Sequence, residues 1–290
     1  MSGTSRKLRH ILAGVMIAAA LAMAASPLDR ARELYNRTDY QAALALLRPM
    51  PQKDADAYHL IGMCYYMEGD PKRAGDFFEK AVELRPGESD YRLWLGRAYG
   101  RRAETSSFLT APGYAAKARD NFEKAVQLDP RNVEAISDLF EYYLDAPGIL
   151  GGGWDKAATL ASRMAELNPA EGHWAQSRLA EKRKEDRTAE EHLRRAIDLA
   201  PRQAGRVIDL AKMLAKAGRY QESEEAFRRA ESITPGAPRI MFARASVYIQ
   251  SGRNLDVAKQ LLKQYLQSPL TPNDPPRKEA ERLLRRVSSS

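Results

Sequence analysis

Cysteine is almost missing: Cys64 is the single one in the chain, so no internal disulfide can form. It stands between Met63 and Tyr65 in a helical pattern, where a lone thiol serves as a small packed apolar residue. Histidine is scarce too. His59, His173 and His192 are scattered, and no His-x-x-x-His or Cys-x-x-Cys pair offers a ligand set for a metal. The G-x-x-x-x-G-K-[ST] phosphate loop, the G-x-G-x-x-G fingerprint and the G-x-S-x-G nucleophile turn are all missing. Carboxylates are plentiful, but they are interleaved with Lys and Arg as on solvated helix faces. No catalytic constellation, cofactor site or metal site is expected.

Charge of one sign is not concentrated either. The net charge is +8 at 29% charged residues, yet both signs alternate, as over residues 181–191. No basic stripe for nucleic acid emerges. Long apolar runs are confined to one place. Arg6, Lys7 and Arg9 precede an uncharged run over 11–25, and Ala22-Met23-Ala24 supplies a small-x-small exit followed by Pro27. That order is the order of a secretory signal peptide. The run is shorter than the roughly 20 residues that span a bilayer, so cleavage is expected rather than a retained anchor facing the periplasm. No cysteine follows it to carry a lipid. Residues 1–24 are therefore assigned as a leader, the mature chain as periplasmic or secreted without stable membrane insertion, and its net charge as +5 once those three cations of the +8 are gone.

What the chain does have is a repeat. Tyr58, Ile61, Gly62 and Tyr65, then Ala74, Phe78, Ala81 and Pro86, set out one clear unit. Another runs through Val207, Leu210, Ala211 and Leu214 to Ser223, Phe227, Ala230 and Pro235. Small residues mark one equivalent position seven times, at Ala43, Ala74, Ala118, Ala157, Ala189, Ser223 and Ala258. Pro86, Pro130, Pro169, Pro201 and Pro235 punctuate the helix ends, because proline cannot continue a helix.

This spacing resembles the tetratricopeptide repeat (TPR), whose period is about 34 residues. The resemblance covers residues from about 31 to about 265. It implies an all-α fold: a right-handed superhelix, an α-solenoid of about seven helix-turn-helix repeats. The solenoid is placed at 25–270 and a C-terminal capping helix with its tail at 271–290. Ala280, Leu283 and Leu284 form the apolar stripe of that helix. Two spacings exceed the period, with insertions near 100–115 and 145–155. Both fall inside helix hairpins of adjacent repeats and should lie side by side on one edge. The Gly-rich segment is expected to be a tight turn that tucks Ile149, Leu150 and Trp154 against the helices.

The resemblance further implies that first helices line a concave groove holding a protein or peptide. Carried over position by position, the groove residues are His59, Met63, Tyr66, Leu93, Arg97, Ser137, Glu141, Trp174, Arg178, Ile208 and Lys212. The Lys/Asn set of carboxylate-clamping chaperone-binding members is missing at the matching positions. The function implied is a non-catalytic scaffold or adaptor of the bacterial cell envelope. The alternative is an accessory or small-molecule-binding protein, enzymatic or not, that uses segments 105–114 and 145–155. N-terminal sequencing of the protein recovered from a periplasmic extract should read from Ala25; an intact Met1 would instead mark a retained anchor.

Overall fold

The computed structural model describes residues 26–271 and 274–288; the leader assigned to 1–24 lies outside the described residues. Fifteen α-helices follow one another, with no strand among the described residues. They form seven antiparallel pairs and one terminal helix. The pairs are α1 (Pro27–Asn36) with α2 (Tyr40–Leu47), α3 (Ala55–Met67) with α4 (Pro71–Leu84), and α5 (Ser89–Thr105) with α6 (Ala111–Leu128). Next come α7 (Val133–Asp145) with α8 (Trp154–Leu167), α9 (Pro169–Lys182) with α10 (Asp186–Leu199), and α11 (Ala204–Lys216) with α12 (Tyr220–Ile233). The seventh pair is α13 (Pro238–Ser251) with α14 (Leu255–Gln267), and α15 (Arg277–Ser288) ends the chain. Each helix packs mainly on its hairpin partner and on the next helix in sequence, as a solenoid requires.

Short polar side chains start many of the helices. Ser26, Asp39, Asp54, Asp70, Asn132 and Asn168 each accept a hydrogen bond from a backbone N–H of the first turn. Pro71 and Pro169 open helices at positions that need no N–H donor. Within a pair the helices approach until a side chain no longer fits. A Cβ on Gly62 would stand 2.6 Å from the Phe78 ring, and one on Gly96 would stand 2.6 Å from Phe122. Where the glycine position holds Ser177, its hydroxyl donates to the carbonyl of Ala189 at 2.8 Å. Ser223, in the small position of the sixth pair, donates likewise to Ala211 at 2.8 Å. Buried polar atoms at these contacts are thus satisfied. Cys64 has no exposed surface, and burial pushes its thiol up to about 12.

The insertions differ from the expected loops. Most of the extra length in the third pair extends the helices themselves: α5 and α6 have 17 and 18 residues, against 13 and 14 in the second pair. Only 106–110 lies between them, with Phe108 and Leu109 exposed. In the fourth pair a 3₁₀ turn, Gly148–Leu150, makes the link. The Leu150 carbonyl accepts from the Tyr142 hydroxyl at 2.8 Å and from Arg119 of α6 at 3.3 Å, so the two insertion-bearing pairs meet there. Gly152 is required because a Cβ would fall 1.8 Å from the Ala146 oxygen. Trp154 packs against the core as expected. Ile149 does not: it is 93% exposed. The turn holds the neighbouring carbonyl of Leu150 inward and leaves Ile149 outward.

The steric rule gives a test with opposite signs at two glycines of one helix. Gly96→Ala should destabilise the protein by about 1–3 kcal/mol through overpacking against Phe122. Gly100→Ala on the same α5 meets nothing within 4 Å. It should stabilise by about 0.5–1 kcal/mol, because alanine is the better helix former. Urea unfolding midpoints of the two variants should move in opposite directions; a common shift would refute the packing assignment.

Candidate functional site

First helices of successive pairs form one continuous wall, and ion pairs stitch that wall together. Arg97 on α5 donates from Nε to Asp138 at 2.6 Å and from Nη2 to Glu134 at 3.0 Å, both on α7. Burial disfavours the Arg97 charge, but the two carboxylates outweigh it and hold the guanidinium pKa above its usual value. Arg178 on α9 grips Glu141 of α7 with two 3.0 Å bonds and reaches Glu181 at 2.6 Å. Those bonds, that to Glu141 first, hold its pKa up as well. Arg206 of α11 pairs with Glu171 of α9 and with Asp209. Such pairs fix the spacing of neighbouring helices and commit the three arginines to wall carboxylates.

The C-terminal half of the wall holds a concavity of about 460 Å³. Four of the expected groove residues converge on it from three pairs: Glu141, Trp174, Arg178 and Lys212. Leu193, Met213 and Val247 supply apolar lining. Trp174 is only 9% exposed: it meets the Phe140 ring at a tilt with 5.9 Å between centroids and lies beneath the Arg206 guanidinium at 4.2 Å. It is the floor of the concavity more than a projecting anchor, so its loss would cost packing before it cost binding. Lys212 is exposed, with Asp209 at 3.8 Å, and Lys216 is exposed with no ion pair among the described residues. Sequence reasoning missed Lys216 and Gln250 here. Lys216 follows Lys212 by four residues on one helix, which places both on one face.

The N-terminal half is different. His59 is buried at 8% exposure among Phe78, Tyr91 and Trp94, with ring centroids at 5.4, 4.7 and 6.3 Å. Leu93 has no exposed surface and belongs to the core, so the groove assignment fails at that position. Met63 and Tyr66 are half-buried; Tyr66 meets the Trp94 ring edge-on at 5.5 Å. Ile208 is buried, although it borders a second concavity beside Lys212. Ser137 is half-buried. The structure thus gathers one set of expected residues into a C-terminal concavity and consigns much of the other to packing. Among the described residues, no group of three potential ligands could hold a metal ion, and no helix is long and apolar enough to cross a membrane.

Comparison with known proteins agrees with this architecture. A family model described as tetratricopeptide repeat matches residues 55–88, and a second of the same description matches 208–275. No curated protein matches the chain in sequence. Among solved structures, a tetratricopeptide repeat protein from Parabacteroides merdae is similar with a TM-score of 0.57 and 12% identity, covering 90% of this chain and 97% of its own. A thermophilic TPR protein of Thermus thermophilus is similar with a TM-score of 0.53 and 22% identity, covering 65% of this chain and 97% of its own. Likeness at these identities concerns the fold.

His59 makes the wall pH-sensitive. Burial lowers its pKa to about 4. The Asp56 carboxylate opposes that burial and the Arg32 charge adds to it, and burial prevails; Asp90 stands 3.7 Å from Nε2, beyond hydrogen-bond reach. As pH falls below the unfolded value near 6.5, the unfolded chain takes up a proton that the folded chain refuses. Stability should therefore fall between pH 6.5 and about 4 by up to about 1.4 kcal/mol per unit from this residue. His59→Phe should flatten that part of a stability–pH curve measured by urea unfolding; an unchanged slope would mean the imidazole reaches solvent.

Proposed function

As this chain belongs to the tetratricopeptide repeat family, a family of protein-interaction scaffolds, we propose that it binds a protein or peptide ligand through the concave groove, in the bacterial cell envelope. The observation that carries the groove reading is the C-terminal concavity, where an apolar floor lies beside Lys212 and Lys216. Apolar area supplies affinity there, and two exposed cations, Lys216 and Lys212 with its single long contact to Asp209, select the ligand's charge. A ligand segment with carboxylates suits them. Neighbouring arginines are already committed to wall carboxylates and cost more to redirect. The envelope setting is supported by the leader-like pattern of the first residues. The two concavities that hold Lys212 contain no residue of segments 105–114 or 145–155, so the groove is preferred to the two insertions as the binding surface. No catalytic role is proposed.

The test is charge reversal inside and outside the groove. Lys212→Glu with Lys216→Glu should weaken capture of partners from periplasmic extract by at least about tenfold, or ~1.4 kcal/mol. Arg228→Glu, on the second helix of the sixth pair and 68% exposed, should leave capture unchanged. Both variants should keep wild-type helicity and melting temperature. Equal capture by both would move the binding surface away from the groove.

A further inference from the structure

The terminal helix α15 does more than cover the end of the array. Its apolar stripe packs on the seventh pair: Ala280 is fully buried beside Tyr248, Leu262 and Tyr265, and Leu283 and Leu284 join that cluster. The connection before it is tied down as well. Tyr265 donates its hydroxyl to the Pro275 carbonyl, and Arg277 donates to the Ser268 carbonyl at 3.0 Å. The turn is closed by Thr271 N–H on Asp274 at 2.7 Å. This side of α15 is firm.

The opposite side faces the beginning of the chain. Lys278 passes over Gly69, in the turn between α3 and α4; a Cβ there would stand 3.1 Å from the lysine chain. Glu279 lies 3.8 Å from Arg101 of α5. Tyr40, whose buried hydroxyl has no hydrogen-bond partner, borders a cavity together with Asp274 and Lys278. Glu279 also lines the concavity that holds Lys212 and Arg239, and a third one with Tyr66 and Arg101. The chain's own carboxylate therefore stands inside the groove, between a cation of the third pair and cations of the sixth and seventh. The two sides of α15 are unequal. One rests on buried apolar contact; the other on a long, half-exposed ion pair, which is weak, beside the lysine chain over Gly69.

We propose that α15 is a clasp across the groove, fixed to the seventh pair and releasable from the first three. The groove's external ligand is then an amphipathic helix whose carboxylates replace Glu279 between Arg101 and the Lys212–Arg239 side. This rests on the groove reading above and adds the partner's chemistry and the element it must displace. Release requires no unfolding: the solenoid opens slightly, and the seventh pair carries α15 away from α3 and α5. While the clasp is closed, the ligand sees only the open fraction, so apparent affinity falls by that fraction.

The experiment uses the full-length mature chain with spin labels at Glu68→Cys and Glu281→Cys, both bordering the cavity between the turn and α15, in a Cys64→Ala background. The probe is a helical peptide of the repeat Glu-Ala-Glu-Leu-Leu-Ala-Ala, with a Gln-for-Glu peptide as control. The free protein should give one short inter-label distance. The acidic peptide should shift it to a longer one, and the Gln peptide should not. Glu279→Ala, which keeps a good helix former, should lengthen the distance without peptide and raise acidic-peptide affinity about fivefold. Binding with an unchanged distance would overturn the clasp while leaving groove binding intact. Equal binding of the Gln peptide, or no binding by either form, would overturn the carboxylate partner. An unchanged distance in Glu279→Ala would overturn the role of the Arg101 contact.

Discussion

One helix pair here cannot bury its own apolar face, and the rest of the structure depends on that shortage. The second helix presses an aromatic ring onto bare backbone of the first, as Phe78 does on Gly62 and Phe122 on Gly96. The closeness leaves each pair flat and apolar on both broad sides, so it is stable only between neighbours. Ala31, Ala43, Ala74, Ala118, Ala157 and Ala189 have essentially no exposed surface for the same reason. Small residues there set the distance between backbones, and the aromatics fill what remains. The stacking places first helices side by side along a wall, and the groove exists because that wall does.

Electrostatics then divides the wall into committed and available charge. Arg97, Arg178 and Arg206 bridge adjacent first helices through short, forked bonds to carboxylates. Guanidinium geometry suits this: Arg178 holds the Glu141 carboxylate with two donors, while Arg97 and Arg206 each divide their donors between two carboxylates. Lysines serve a different end. Lys212 and Lys216 stand exposed at the edge of an apolar floor, where a point charge on a flexible stem can meet a ligand. The terminal helix brings Glu279 to the concavity that Lys212 borders, from within the chain. Rigid pairing in one part of the wall thus stands beside exposed, loosely paired charge in another.

Much of this architecture was legible in the residue pattern. Recurring small residues, the aromatics four positions after them and the prolines at helix ends marked the helix pairs, because steric fit in a pair is local and repeats with the period. Convergence of Glu141, Trp174, Arg178 and Lys212 was legible too, since equivalent positions of stacked repeats fall on one wall. Depth was not. Leu93 and Trp174 occupy equivalent positions and both are buried, yet Leu93 is sealed off while Trp174 keeps an edge on the concavity, depending on how closely the next pair leans over it. The extra residues of the third pair read as a loop, because Ser, Thr, Pro and Gly cluster there; packing of α5 along α6 carried them into longer helices instead. Ile149 read as a tucked residue and points outward, because the turn is anchored through the Leu150 carbonyl.

By itself, the sequence determined the repeat, its helical class and the residues that let paired helices touch. These depend on contacts a few residues to one period apart, and composition at fixed spacing dictates them. Only the tertiary structure decided how far the array curls, and with it that α15 meets Gly69 and Arg101 across the groove. That meeting sums small rotations between seven pairs, none of which any single repeat specifies. A helix whose pattern reads as a simple end cap is thereby brought against residues more than 170 positions earlier in the chain, about five repeat lengths away.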